Sequence, residues 1–173
     1  MLDAARALER LREGNRRFTA RQVAAPRLST AARRAELIAG QEPFAVVLGC
    51  SDSRVPCELV FDQGFGDLFV IRVAGNVVAP SQIGTVEFAV SRLGTRLVVV
   101  MGHSRCGAVA ATLQELQGRT ANPERGLRSI LDHVRSPVET VLASRCEDDP
   151  DALLRDAVRA NISASANRLR HGS

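Results

Sequence analysis

Apolar positions fall into two kinds of pattern along the chain. Over residues 3–20 (DAARALERLREGNRRFTA), Ala4, Leu8, Leu11 and Phe18 recur near helical spacing with charges between them, which predicts an amphipathic helix. A second short helix is predicted over Thr30–Ala39, closed by Gly40 with Pro43 beyond it; Val23–Ser29, with Pro26, reads as a linker. Three continuous apolar runs rich in β-branched residues then follow: Phe44–Leu48, Leu68–Val73 and Leu97–Met101. Segments of helical pattern separate or follow them, over Ser81–Leu93 and Gly107–Gln117. Residues 118–126 read as a loop, and further helices are predicted over Leu127–Arg135, Pro137–Ala143 and Asp151–Arg170. Continuous apolar strands alternating with helices predict an α/β fold, with a mostly parallel central sheet flanked by helices and an N-terminal helical arm. The expected organisation is a single domain over residues 1–173, with the arm over about 1–40 and the core over about 41–173.

Composition narrows the class. A chain of 173 residues with 45% hydrophobic and 24% charged residues suits one folded domain of ordinary size. No apolar run reaches the roughly 18 residues that span a bilayer, so no membrane partner is expected. The N-terminal stretch carries Asp3, Glu9 and Glu13 among its arginines and has no apolar targeting core. A cytoplasmic location is therefore expected. All 23 basic residues are arginine, and residues 1–40 hold nine of them against four acids, a local charge of +5 that leaves −1 on the rest of the chain. Trp and Tyr are absent, so aromatic platforms for bases are nearly missing and no nucleic-acid partner is expected.

The segments after the three strands carry the chemistry. They are Gly49-Cys50-Ser51-Asp52-Ser53-Arg54, Ala74-Gly75-Asn76, and Gly102-His103-Ser104-Arg105-Cys106-Gly107. In open α/β sheets, ligands bind outside the carboxyl ends of the strands, so this is where a site belongs. His103-x-x-Cys106 alone fits a buried histidine and a buried cysteine as well as a metal site. With Cys50 added, two thiolates and an imidazole suit zinc rather than magnesium or calcium. A structural zinc would need a fourth ligand, for which Cys57, Cys146, His133 and Asp52 are candidates; a catalytic zinc leaves that place to water. Asp52 can accept a hydrogen bond from the nucleophile, and Arg54 can hold that carboxylate off the metal. Cys50 and Arg54 are too close for the phosphate loop of a cysteine phosphatase, and no nucleotide-cradling glycine motif is present.

These residues, with LREGNRRF (Leu11–Phe18), CSDSRVP (Cys50–Pro56), FDQGFGDLFVIRVAGN (Phe61–Asn76), GTVEFAV (Gly84–Val90) and GHSRCGA (Gly102–Ala108), resemble the β-class carbonic anhydrases over roughly residues 5–170. The resemblance implies one zinc per subunit held by Cys50, His103 and Cys106, with Asp52 and Arg54 as catalytic dyad. It implies reversible hydration of carbon dioxide to bicarbonate by zinc-bound hydroxide. Gln41 matches a substrate-binding glutamine of the plant-like branch. Phe69, Ala74 and Phe88 match its pocket lining from the neighbouring subunit, and Gly107 is a further expected substrate-binding residue. A homodimer or higher homo-oligomer follows. The chain departs from the family at Phe88, where tyrosine is frequent, and at Val47, which stands where the regulatory bicarbonate site has tryptophan; no such regulatory lock is expected. The family's usual C-terminal segment is expected to be lacking, since the chain stops at Arg170-His171-Gly172-Ser173. A carbon disulfide or carbonyl sulfide hydrolase on the same site, or a non-catalytic zinc-binding homologue, are the alternatives.

Overall fold

A computed structural model describes residues 2–22, 30–119, 125–144 and 149–172. It is an α/β protein: a parallel three-stranded sheet in the order β2-β1-β3, flanked by seven α-helices among the described residues. The elements run α1 (Ala4–Thr19), α2 (Ala31–Glu36), β1 (Ala45–Gly49), α3 (Cys57–Val60), β2 (Leu68–Arg72), α4 (Pro80–Arg92), β3 (Val98–Met101), α5 (Gly107–Leu116), α6 (Arg125–Ser144) and α7 (Pro150–His171). Every residue of β1 is buried, as a central parallel strand covered on both faces requires. The predicted linker over 23–29 and Cys146 lie outside the described residues.

The helix ends follow the sequence. Asp3 accepts the Arg6 amide at 2.9 Å to start α1, and Thr30 accepts the Arg33 amide at 3.2 Å to start α2. The second helix tightens into a 3-10 turn over Leu37–Ala39 before Gly40. Asp149 caps α7 by accepting the Asp151 amide at 3.0 Å, with Pro150 in the first turn.

Two expectations are corrected. The two helices predicted around Pro137 are one helix, Arg125–Ser144, which also takes in residues 125 and 126 of the predicted loop. Pro137 costs about 3 kcal/mol in a helix interior. The buried stripe Leu131, Val134 and Val138 runs through it, and burial of that stripe offsets the cost. The amphipathic helix predicted at the N-terminus forms, but its apolar positions are only partly the buried ones: Leu11 is buried and Leu8 half-buried. Ala7, Leu11 and Gly14 are the buried residues, whereas Ala4 is exposed and Phe18 is 39% exposed.

The chain divides into two compact units. The first comprises Met1–Leu48, Ser53–Ile71 and Gly84–Val99; the second comprises Gly49–Asp52, Arg72–Ile83 and Val100–Ser173. In the first, α1 is held at close range, because a Cβ on Gly14 would lie 1.7 Å from the Phe61 carbonyl oxygen. Arg10 Nη2 meets Asp67 Oδ1 at 2.8 Å while its guanidinium lies over the Phe44 ring, and Arg17 Nε meets the fully buried Asp62 at 2.5 Å. Much of the front-loaded arginine charge is thus paired within the unit. In the second, Val109 and Leu113 of α5, Val134 and Val138 of α6, and Ala157 and Val158 of α7 form one apolar cluster. Cys50 and Cys106 belong to that same cluster.

Candidate metal centre

Three loops of the second unit build the site. Cys50 follows the last residue of β1 and is 5% exposed. His103 and Cys106 lie on the turn between β3 and α5, where Arg105 takes a left-handed backbone (φ 56°). That conformation closes the turn tightly enough to send both side chains inward. Gly102, just before it, is the place where Ile162 of α7 approaches: a Cβ there would lie 2.5 Å from Ile162 Cδ1. The third loop is the turn Ala74–Asn76, with Gly75 at φ 66°. Asn161 Nδ2 donates to the Gly75 carbonyl at 2.8 Å, and Ser165 Oγ donates to the Asn76 carbonyl at 3.0 Å. Both of these α7 residues are buried, so the polar groups of the turn are satisfied from one helix.

The donor atoms of Cys50, His103 and Cys106 all lie within 4.8 Å of one another. The imidazole of His103 is 6% exposed, although the residue as a whole is half-buried. Its Nδ1 lies 3.0 Å from the Ser104 carbonyl oxygen. A carbonyl can only accept, so Nδ1 carries the proton and Nε2 is left with a lone pair. That Nε2 is buried and has no hydrogen-bond partner, a cost that a metal would remove. Asp52 Oδ2 is 3.8 Å from it, beyond hydrogen-bond range.

The sulfurs show the same incompleteness. Sharing of a proton with Cys106 pulls the Cys50 thiol well below its ordinary value of 9.0, against the opposing effect of burial and with help from the backbone of Asp52. The Cys106 thiol is pushed up, because it donates to the Cys50 sulfur and is buried, although the amides of Val109 and Ala108 at the start of α5 favour its thiolate. One proton comes off readily and the second is held, since two adjacent thiolates in an apolar setting repel. A divalent cation relieves that repulsion. Two sulfurs and an imidazole nitrogen are borderline-soft donors, so the group fits zinc and does not suit magnesium or calcium.

The other residues singled out in the sequence are dispersed. Cys57 is fully buried at the start of α3, and His133 on α6 points its Nδ1 at the Ser129 carbonyl oxygen, 2.7 Å away. Neither belongs to the metal-competent group. Ala74 is half-buried in its turn, and Gly107 is exposed as the first residue of α5. In the first unit, Arg54 and Gln41 are exposed, and the Phe69 and Phe88 rings form a tilted pair with centroids 6.2 Å apart. Phe88 is 50% exposed. Val47, the residue standing where the family's regulatory tryptophan falls, is fully buried. The sequence reading missed Arg72, Asn161 and Ser165. Polar residues at the buried positions of α7 were the available signal for the last two.

The fold and donor set define an α/β protein with a three-donor centre suited to a soft divalent metal. Comparison with known proteins gives the family. A family model described as carbonic anhydrase matches residues 45–173. Carbonic anhydrase 2 of Mycobacterium tuberculosis is 45% identical over 132 residues, covering 76% of this chain and 63% of that protein. The carbonic anhydrase of Mycolicibacterium smegmatis is 46% identical over 128 residues, covering 74% and 61%. Among solved structures, the β-carbonic anhydrase CafA of Aspergillus fumigatus superposes with a TM-score of 0.70 at 31% identity, covering 79% of this chain and 64% of that one. A tetrameric β-carbonic anhydrase of Sordaria macrospora also gives 0.70, at 27% identity, covering 80% and 70%. The chain belongs to the β-carbonic anhydrase family. It spans less than two thirds of the length of the two mycobacterial relatives.

Proposed function

We propose that this chain carries the active centre of a carbonate dehydratase, which reversibly hydrates carbon dioxide to bicarbonate and a proton, with zinc held by Cys50, His103 and Cys106. The observation that carries the reading is the buried trio of donors, with an unpartnered Nε2 3.8 Å from the Asp52 carboxylate. Zinc bound there would act as a Lewis acid on water, which it acidifies to a pKa of about 7 in the three-histidine type of carbonic anhydrase site.

The chain's own groups supply the rest. The two cysteine sulfurs, as thiolates, balance the charge of a dication, and the Ser104 carbonyl fixes the tautomer that leaves His103 Nε2 able to ligate. Asp52 Oδ2 accepts a hydrogen bond from the attacking water and so orients its lone pair. Arg54, as the dyad partner, restrains that carboxylate by charge, so that Asp52 orients the nucleophile instead of becoming a fourth ligand. Ala74 contributes apolar surface for carbon dioxide. The Gly107 amide, at the N-terminus of α5, donates a hydrogen bond to the bicarbonate oxygen on which negative charge develops. Gln41, Phe69 and Phe88 complete the substrate pocket within a homo-oligomer. In support, Phe88 leaves half its surface uncovered, and the Sordaria macrospora relative is described as tetrameric.

Stopped-flow measurement of carbon dioxide hydration on metal-quantified protein tests the reading. The expected result is one zinc per chain and a rate well above that of the zinc-free protein. A protein with one zinc per chain and no acceleration would overturn it. Turnover of carbon disulfide or carbonyl sulfide in its place would assign the same centre to the alternative hydrolase chemistry.

A further inference from the structure

We propose that Arg72 is a positioning residue for the metal centre: its guanidinium ties together the backbone carbonyls of Cys50 and Asp52, so that the thiolate and the carboxylate are presented to the same point. The activity arm of the test rests on the carbonic anhydrase reading; the metal-binding arm does not.

Arg72 is the last residue of β2, which lies beside β1 in the sheet. The strand pairing ends with the Val73 amide donating to the Gly49 carbonyl at 3.1 Å. Beyond that bond the chain turns away from the sheet through Cys50, Ser51 and Asp52. The Arg72 side chain continues the pairing where the backbone stops. Its Nε donates to the Cys50 carbonyl at 3.0 Å and its Nη2 to the Asp52 carbonyl at 2.6 Å. These are charge-assisted bonds from two prongs of one planar group, so they set the spacing and the relative orientation of the two carbonyls. The thiol donor and the dyad carboxylate hang from the two residues so fixed. No carboxylate pairs with Arg72 among the described residues, so its charge is directed to this loop. Arg72 is itself exposed, so the apolar core does not depend on it.

A lysine places one point charge where the guanidinium places a fork, and a methionine keeps much of the length without any donor. Arg72→Met and Arg72→Lys, made in the full chain, separate positioning from mere stability. Four readouts apply: Tm, zinc retention against a competing chelator, the thiolate-to-metal charge-transfer bands of the cobalt(II)-substituted protein, and kcat with KM for carbon dioxide hydration. Loss of a support behind metal ligands typically costs about 10–100-fold in metal affinity or activity. Arg72→Met is expected to lose zinc affinity in that range, to shift the cobalt bands, and to lower kcat with little change in KM. Arg72→Lys is expected to restore Tm to near the wild-type value without restoring the bands. Wild-type cobalt bands and zinc affinity within twofold in both variants would overturn the inference, as would a fall in Tm with unchanged bands. If Arg72→Met does not fold, wild-type bands and affinity in Arg72→Lys overturn it alone. Shifted bands in the variants of a protein that hydrates no carbon dioxide would sustain this inference and remove the functional reading instead.

Discussion

In the unit formed by Gly49–Asp52, Arg72–Ile83 and Val100–Ser173, the side chains with chemistry to do are buried against an apolar cluster, and two of them are members of it. In the unit formed by Met1–Leu48, Ser53–Ile71 and Gly84–Val99, the buried charge is engaged by other charge: Arg17 meets Asp62 and Arg10 meets Asp67. The residues of this second group that resemble a substrate pocket, Gln41 and Phe88, lie exposed. A packed core holds donor atoms at fixed spacing and removes the water that would otherwise satisfy them, which is why His103 Nε2 is left without a partner. The charge pairs that clamp α1 leave no such deficit among the described residues, whereas in the other unit the charge-paired Glu115 also has a buried oxygen, Oε2, without a partner. The difference separates a region assembled for binding a metal from one assembled for holding its own helix, and it can be broken experimentally at either end.

The largest effect is expected at the donors. Cys106→Ser replaces a soft sulfur with a hydroxyl oxygen that is a poor zinc ligand, so metal content should fall to background and hydration with it. Metal analysis after dialysis against a chelator checks this, and a variant retaining one zinc per chain would remove Cys106 from the ligand set. Arg54→Ala should separate binding from turnover. If Arg54 restrains Asp52, the variant keeps its zinc but loses hydration activity, because the carboxylate is then able to occupy the place of the nucleophile. Full activity in zinc-replete Arg54→Ala would end that role.

Much of this was legible in the sequence, and the reasons are local. The three apolar runs became β1, β2 and β3 because short unbroken β-branched stretches suit parallel strands covered on both faces. Cys50, His103 and Cys106 could be grouped because each follows a strand end, and parallel strands bring those ends to one edge. What escaped were features defined by three-dimensional approach. Gly14 reads as a poor helix residue until the Phe61 carbonyl is seen against it. Pro137 reads as a boundary because its local cost is visible in sequence and the tertiary burial of Leu131 and Val138 is not. Arg72 carries no signature at all, since an arginine at a strand end looks the same whether it faces water or two carbonyls.

The first unit offers the next prediction. Gly14→Ala adds a methyl group where the Cβ position is 1.7 Å from a backbone oxygen, and a backbone cannot yield as a flexible side chain does. Overpacking of this kind costs about 1–3 kcal/mol, a fall of roughly 2–12 °C in Tm. Metal affinity measured on the folded protein should be unchanged, because no donor belongs to this unit. A weakened metal site in Gly14→Ala would show that the division of labour between the regions is not real.

The smallest expected effect lies in the second unit and depends on pH. Glu115 of α5 accepts hydrogen bonds through Oε1 from Arg128, at 2.6 Å, and from Arg135, both on α6. Desolvation pushes its carboxyl up, but the two guanidiniums together outweigh that and hold it below the ordinary 4.5. A carboxyl depressed on folding binds its proton more readily in the unfolded chain. The stabilisation is therefore fully present above the ordinary value and is lost as pH falls through the folded one. Glu115→Gln keeps the shape and an acceptor oxygen but has no charge to lose. Thermal melts of the two proteins should differ above about pH 5, with the wild type more stable, and should converge as the pH is lowered past 4.5. A gap in Tm that stays constant through that range would mean that the Arg128–Glu115–Arg135 contact works through packing alone. In that case the charge of Glu115 would add nothing to the stability of the second unit, and the contrast with the charge-clamped first unit would be sharper still.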